Sequence, residues 1–157
     1  MKELTANCED TSDQPIDYSY LPDLLGHLLG LAHLEITQLC TEVMEPLQLT
    51  PKQFVAMEFI SKNPCNSQKN IAENIGTAPA VMVGILDYLS ERGLLKRKRS
   101  PHDRREYYVQ LTPKGMDMLA EIRRMAFKVE DLYQQKTGLT DEERETILPI
   151  LRKITNR

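Results

Sequence analysis

The sequence predicts a mainly α-helical fold with a small β-hairpin: a winged helix-turn-helix lobe joined to a helical dimerisation lobe. Three observations predict it. Apolar residues recur at spacings of three and four along most of the chain, the period of an amphipathic helix. At Gly93 the period changes to two, the period of a half-buried strand. Directly after that change, cations crowd together: residues 92–105 hold seven Lys and Arg against one acid, Asp103.

The elements follow in order. Residues 1–17 are polar without an apolar period and are expected to form a mobile tail. Residues 18–157 then form one domain, with dimerisation helices at about 20–44 and 113–156 around a lobe at about 48–112. From Tyr20 the Leu-rich spacing predicts a helix to about Met44, ended near Glu45-Pro46 because proline disfavours helix in the residue before it. So many leucines on one helix suggest a buried interface. Thr50-Pro51-Lys52-Gln53 reads as a capping box opening a second helix, which stops before Asn63-Pro64. Ser67 caps a short helix closed by Gly76. Another starts at Thr77 or Ala78 and runs to Arg92-Gly93, its inward face Met82, Ile85, Leu86 and Leu89.

Residues 94–99 and 106–111 then read as two strands joined by a polar tip at 100–104. Thr112-Pro113 restarts a long helix that Gly138 ends. Thr140 to Glu143 is a second capping box, opening a last helix with Ile147, Leu148, Leu151 and Ile154.

Composition narrows the function classes. Hydrophobic residues make up 41% of 157, enough for a core, and with three Phe and no Trp that core is aliphatic. Apolar stretches are broken well before the roughly 20 residues of a bilayer span, and the acidic N-terminus has no apolar signal core. A cytoplasmic protein is expected. Three cysteines without CxxC spacing argue against a disulfide framework or a zinc ribbon. No phosphate loop, nucleophile elbow or paired His–carboxylate spacing points to an enzyme, and no cofactor or metal is implied.

Net charge is −3, yet residues 92–105 carry +6, leaving −9 elsewhere. A basic island on an acidic body is the footprint of a local polyanion site, although most charge clusters are solvated surface. Position decides: the hairpin follows a helix-turn-helix whose second helix can enter a major groove, and strands bearing Lys96, Arg97, Lys98 and Arg99 put alternate cations on each face, some of which meet phosphate.

Leu49-Thr50-Pro51-Lys52-Gln53-Phe54, Glu91-Arg92-Gly93-Leu94-Leu95, and Asp103-Arg104-Arg105 followed by Val109-Gln110-Leu111-Thr112-Pro113-Lys114-Gly115 resemble the MarR family of bacterial transcription regulators. The resemblance covers about residues 20–155. It implies a homodimer that reads a pseudo-palindromic operator in double-stranded DNA, half-sites about one helical turn apart, usually as a repressor. At the wing tip it implies that Asp103 holds the local geometry while Arg105 enters a minor groove, with Arg104 on phosphate or groove. Arginine suits a narrow minor groove because it is planar and weakly hydrated. Ser67, Gln68, Thr77, Pro79, Ala80, Val81, Gly84, Tyr88, Lys96, Lys98 and Arg99 complete the candidate DNA contacts.

The sequence departs from the family at Gly84, which stands where an arginine is common. Base readout by this helix is therefore expected to be sparse: Thr77, apolar contact with thymine methyls, and Tyr88. The resemblance also implies a small effector, an aromatic or phenolic anion, between the dimer helices and the winged lobe. Tyr20, Leu24, His27 and Leu28 with Phe54 and Met57 are candidates to line it, with ordinary core or interface as the alternative for all six. An aromatic acyl thioester is compatible too.

Two other readings remain open on sequence grounds. One is redox sensing through Cys8, Cys40 or Cys65, none of which has a nearby cation in sequence to lower its pKa. The other is a helical dimerisation protein without specific DNA readout, which leaves the wing unexplained.

Overall fold

The structure is a computed structural model that describes residues 18–99 and 107–155. The tail expected at residues 1–17, with Cys8, and the hairpin tip at 100–106 lie outside the described residues. The chain divides into two units, residues 1–34 and 35–157, the division falling within the first helix.

The first unit begins with a 3₁₀ turn, Leu21–Asp23, followed by Leu24 in extended conformation. The first helix, α1, is Leu25–Met44. It thus starts five residues later than the Leu spacing from Tyr20 predicts. Pro22 sits in the 3₁₀ turn and Leu24 turns the backbone out of helix before the regular ladder begins. Leu25, Leu28, Leu31 and Leu34 are all exposed in the single chain.

The second unit contains α2 (Pro51–Lys62), β1 (Asn66–Ser67), α3 (Gln68–Ile75), α4 (Pro79–Glu91), β2 (Leu95–Arg99), β3 (Tyr107–Leu111), α5 (Pro113–Thr137) and α6 (Asp141–Thr155). The caps read from sequence form. Thr50 and Gln53 make the reciprocal capping box of α2, and Ser67 Oγ accepts from the Asn70 amide at 3.3 Å. Thr140 and Glu143 satisfy each other's backbone amides at 2.8 and 3.2 Å. The three strands form an antiparallel sheet in the order β1-β3-β2. Strand β1 is invisible to a period search because it is only two residues long, too short to show alternation.

One core joins these elements: Met57 and Ile60 of α2, Ile71 of α3, Met82, Leu86 and Leu89 of α4, Leu94, Val109 of β3, and Leu119 and Ile122 of α5. All four inward positions predicted for α4 are buried. Fully burying one such aliphatic side chain is worth about 1.5–3 kcal/mol. Helix α6 presents the opposite case. It has no buried residue and continues through Pro149, whose missing N–H removes one bond from the ladder.

The joint between hairpin and long helix is tight. Thr112 donates from its amide to the Leu94 carbonyl at 3.0 Å and from its hydroxyl to the Gly93 carbonyl at 2.7 Å, while that hydroxyl accepts from the Gly115 amide. A Cβ on Gly115 would lie 2.0 Å from the Leu94 oxygen, so only glycine lets the first turn of α5 come this close. Further along α5, Arg123 clasps Glu58 of α2 through two parallel bonds of 2.8 and 2.9 Å.

Candidate nucleic-acid interface

The turn between α3 and α4 is made by Gly76 in the left-handed conformation (φ 67°), where a side chain would be strained. Its amide and that of Thr77 close back on Glu73 and Ala72 of α3. This sets α4 across α3 with the four core residues inward. Pro79, Ala80, Val81, Val83 and Gly84 fall on the outward face, Val81 and Val83 being 46% and 41% exposed. Thr77 is half-buried. Ala78, at the N-cap, has no side-chain acceptor for the first-turn amides, which keeps those donors available to an oxygen from outside. The outward face is thus small, apolar and short of side-chain donors.

Ser67 and Gln68 lie half-buried at the start of α3. Tyr88 faces elsewhere. Its hydroxyl donates to the Gln48 carbonyl at 2.6 Å, and Arg92 lies over its ring, 5.6 Å from the centroid. Arg92 in turn donates to the Leu47 and Gln48 carbonyls at 2.9 and 3.0 Å. Together they clip the end of α4 to the connection before α2.

Register sorts the strand cations. Leu95, Arg97 and Arg99 pair with Leu111, Val109 and Tyr107 and share the core-side face. Lys96 and Lys98 pair with Gln110 and Tyr108 on the other. Arg97 forms an ion pair with Asp87 of α4. Lys96, Lys98 and Arg99 are exposed and have no ion-pair partner among the described residues. The basic island is therefore divided. Arg92 and Arg97 are engaged within the protein, whereas Lys96, Lys98 and Arg99 are exposed to solvent in the single chain. Asp103, Arg104 and Arg105 lie outside the described residues. Sequence reasoning missed Asp87, although it is the one charged residue between Thr77 and Ser90 and stands just upstream of a basic strand.

The effector candidates fall in both units. In the first, Tyr20, Leu24 and Leu28 are exposed and His27 is half-buried. In the second, Met57 is fully buried in the core. Phe54 is half-buried and borders a groove of about 330 Å³ with Val55, Phe59, Lys62 and Ile75. Of the cysteines, Cys65 is exposed and Cys40 is partly buried. Burial, and then the nearby Glu130 charge, push the Cys40 thiol's pKa up, away from the thiolate that redox chemistry requires.

Among the described residues, no helix is long and apolar enough to cross a membrane. The family model described as "MarR family" matches residues 49–107. A putative transcriptional regulatory protein for the hcr operon of Thauera aromatica is 30% identical over 106 residues, 68% of this chain and 63% of that protein. The chain thus spans somewhat less than two thirds of that curated relative's length. The transcriptional repressor CouR, solved bound to a 23-mer DNA duplex, is 34% identical, with a TM-score of 0.82 over 90% of this chain and 99% of that one. CouR bound to p-coumaroyl-CoA is 32% identical, with a TM-score of 0.78 over 90% and 98%.

Proposed function

The chain belongs to the MarR family of transcription regulators, and on that premise we propose that it is a homodimeric, operator-binding repressor released by an aromatic acid or its acyl thioester. The observation that carries the DNA reading is the wing strand. Lys96, Lys98 and Arg99 stand exposed and without acidic partners among the described residues, on a strand that packs against α4. Cations held in that geometry neutralise phosphates and release counterions on binding. The small apolar face of α4 suits close approach to thymine methyls more than bidentate base readout. Specificity then leans on the wing, with Arg104 and Arg105 in or beside the minor groove and Asp103 shaping the tip. Action on the chromosome places the protein in the cytoplasm.

Dimerisation is supported by the apolar residues that α1 and α6 leave uncovered in one chain. The effector class is supported by CouR, solved with p-coumaroyl-CoA, and by the apolar and aromatic residues on α1 and α2. The test has two arms. Fluorescence anisotropy with random duplex at low salt, then with fragments selected from the source genome, checks DNA binding and yields the operator. Titration of the operator complex with p-coumarate and with p-coumaroyl-CoA checks the effector class. Release by one of the two supports the reading, and release by neither removes that class.

A further inference from the structure

Strand β2 is an edge strand of the sheet, held by β3 on one side only. It also packs against α4, and the one side-chain ion pair seen between them, among the described residues, is Arg97 to Asp87. Both side chains are partly exposed, 34% and 47%. An ion pair of that kind contributes little to overall stability, so its effect belongs to geometry. Arg97 sits midway along β2, opposite Val109, on the strand that leads into residues 100–106. Asp87 sits on the helix whose outward face is Val81, Val83 and Gly84.

We infer that Asp87 and Arg97 are positioning residues whose ion pair fixes the angle between wing and recognition helix, so that both meet one duplex in register, and that Arg97 makes no phosphate contact of its own. This rests on the DNA-binding reading above. The basic cluster suggests the reverse role for Arg97, a phosphate contact, and the two roles predict different salt dependences.

The experiment uses the full chain with Asp87→Asn, Arg97→Gln, and the exchanged pair Asp87→Arg with Arg97→Asp. Affinity is measured for random duplex across a salt series and for the selected operator. Each single variant is expected to lower the ratio of operator to random-duplex affinity by about fivefold per subunit, the upper reach of an exposed ion pair. The salt slope of random binding stays at the wild-type value, and the exchanged pair regains most of the ratio. Hydroxyl-radical footprints of the single variants lose minor-groove protection at the flanks, while dimethyl sulfate protection of guanine N7 in the central major groove is kept. The inference is overturned if Arg97→Gln flattens the salt slope by about 0.9 per subunit, the signature of a lost phosphate contact. It is overturned equally if the exchanged pair recovers nothing. Wild-type chain that binds no duplex at low salt would remove the DNA reading itself. Wild-type binding with the wrong variant pattern removes only the positioning role.

Discussion

Between Leu49 and Ile122 the chain buries most of its large aliphatic residues within itself, whereas α6 buries none of its own and α1 only Met44. The lobe has three layers of help: helix caps, a sheet, and a first half of α5 that packs back onto α2 and β3. Helix α6 carries acids in its first turn and Arg152 and Lys153 in its last, with Ile147, Ile150 and Ile154 standing exposed between and beside them. A structure that finishes one region and leaves the other open separates a unit that folds on its own chain from surfaces completed by a second copy. Leu25, Leu28, Leu31 and Leu34 repeat the pattern on α1.

The comparison breaks most severely at Gly115. Alanine there drives a methyl into the Leu94 carbonyl. The lobe should lose about 2–3 kcal/mol, as overpacking does, and its thermal midpoint should fall by roughly 5–10 °C, read by circular dichroism. The opposite face of the comparison is tested by Ile150→Glu. It should leave the lobe's melting intact while weakening self-association by 100-fold or more at roughly 1.5–3 kcal/mol per buried isoleucine in each of two copies. Sedimentation equilibrium checks it. A dimer of unchanged affinity would mean that α6 covers nothing.

Arg104→Ala and Arg105→Ala sharpen the division of labour between α4 and the wing. Each should weaken operator binding by about tenfold, the effect of losing a 1–2 kcal/mol groove contact, without altering the melt. Anisotropy titration decides, and retained sequence preference in the double variant would return the readout to α4. The smallest effect belongs to Glu143→Gln. Hydrogen bonds from the Thr140 amide and hydroxyl hold the Glu143 carboxyl below its ordinary pKa. Its stabilising contribution is therefore complete above the ordinary glutamate range and lost as pH falls through the lowered value. The variant should show a shallower acid-side decline in melting temperature and little change at neutral pH.

Most of the helical frame was legible because its signals are local. Thr50, Ser67, Thr112 and Thr140 announce helix starts, Gly76 and Gly138 announce ends, and the change of period at Gly93 announces the hairpin. What stayed hidden depends on contacts between distant segments. Strand β1 exists only because β3 pairs with it. Tyr88 reads in the sequence as a DNA contact and Arg92 as part of the basic island, yet they are turned to the Leu47 and Gln48 carbonyls, at least 40 positions away in sequence. Leu24 carried the helical spacing but sits in extended backbone. The candidate DNA site was legible as a charge cluster, and the share of that cluster engaged inside the protein was not. Arg97 could be told from Lys98 only once register had put them on opposite faces.

The two-residue strand β1 has a consequence for how the lobe assembles. Ser67 pairs with Tyr108 while its hydroxyl caps α3, so the sheet closes only when the whole α3–α4 segment is gathered into a loop. Closing a long loop costs chain entropy that local helices do not incur, and non-local pairing slows folding. The helix-turn-helix should therefore gain protection from hydrogen exchange before the third strand does. On a nascent or refolding chain, the wing would be the last part to become competent for DNA.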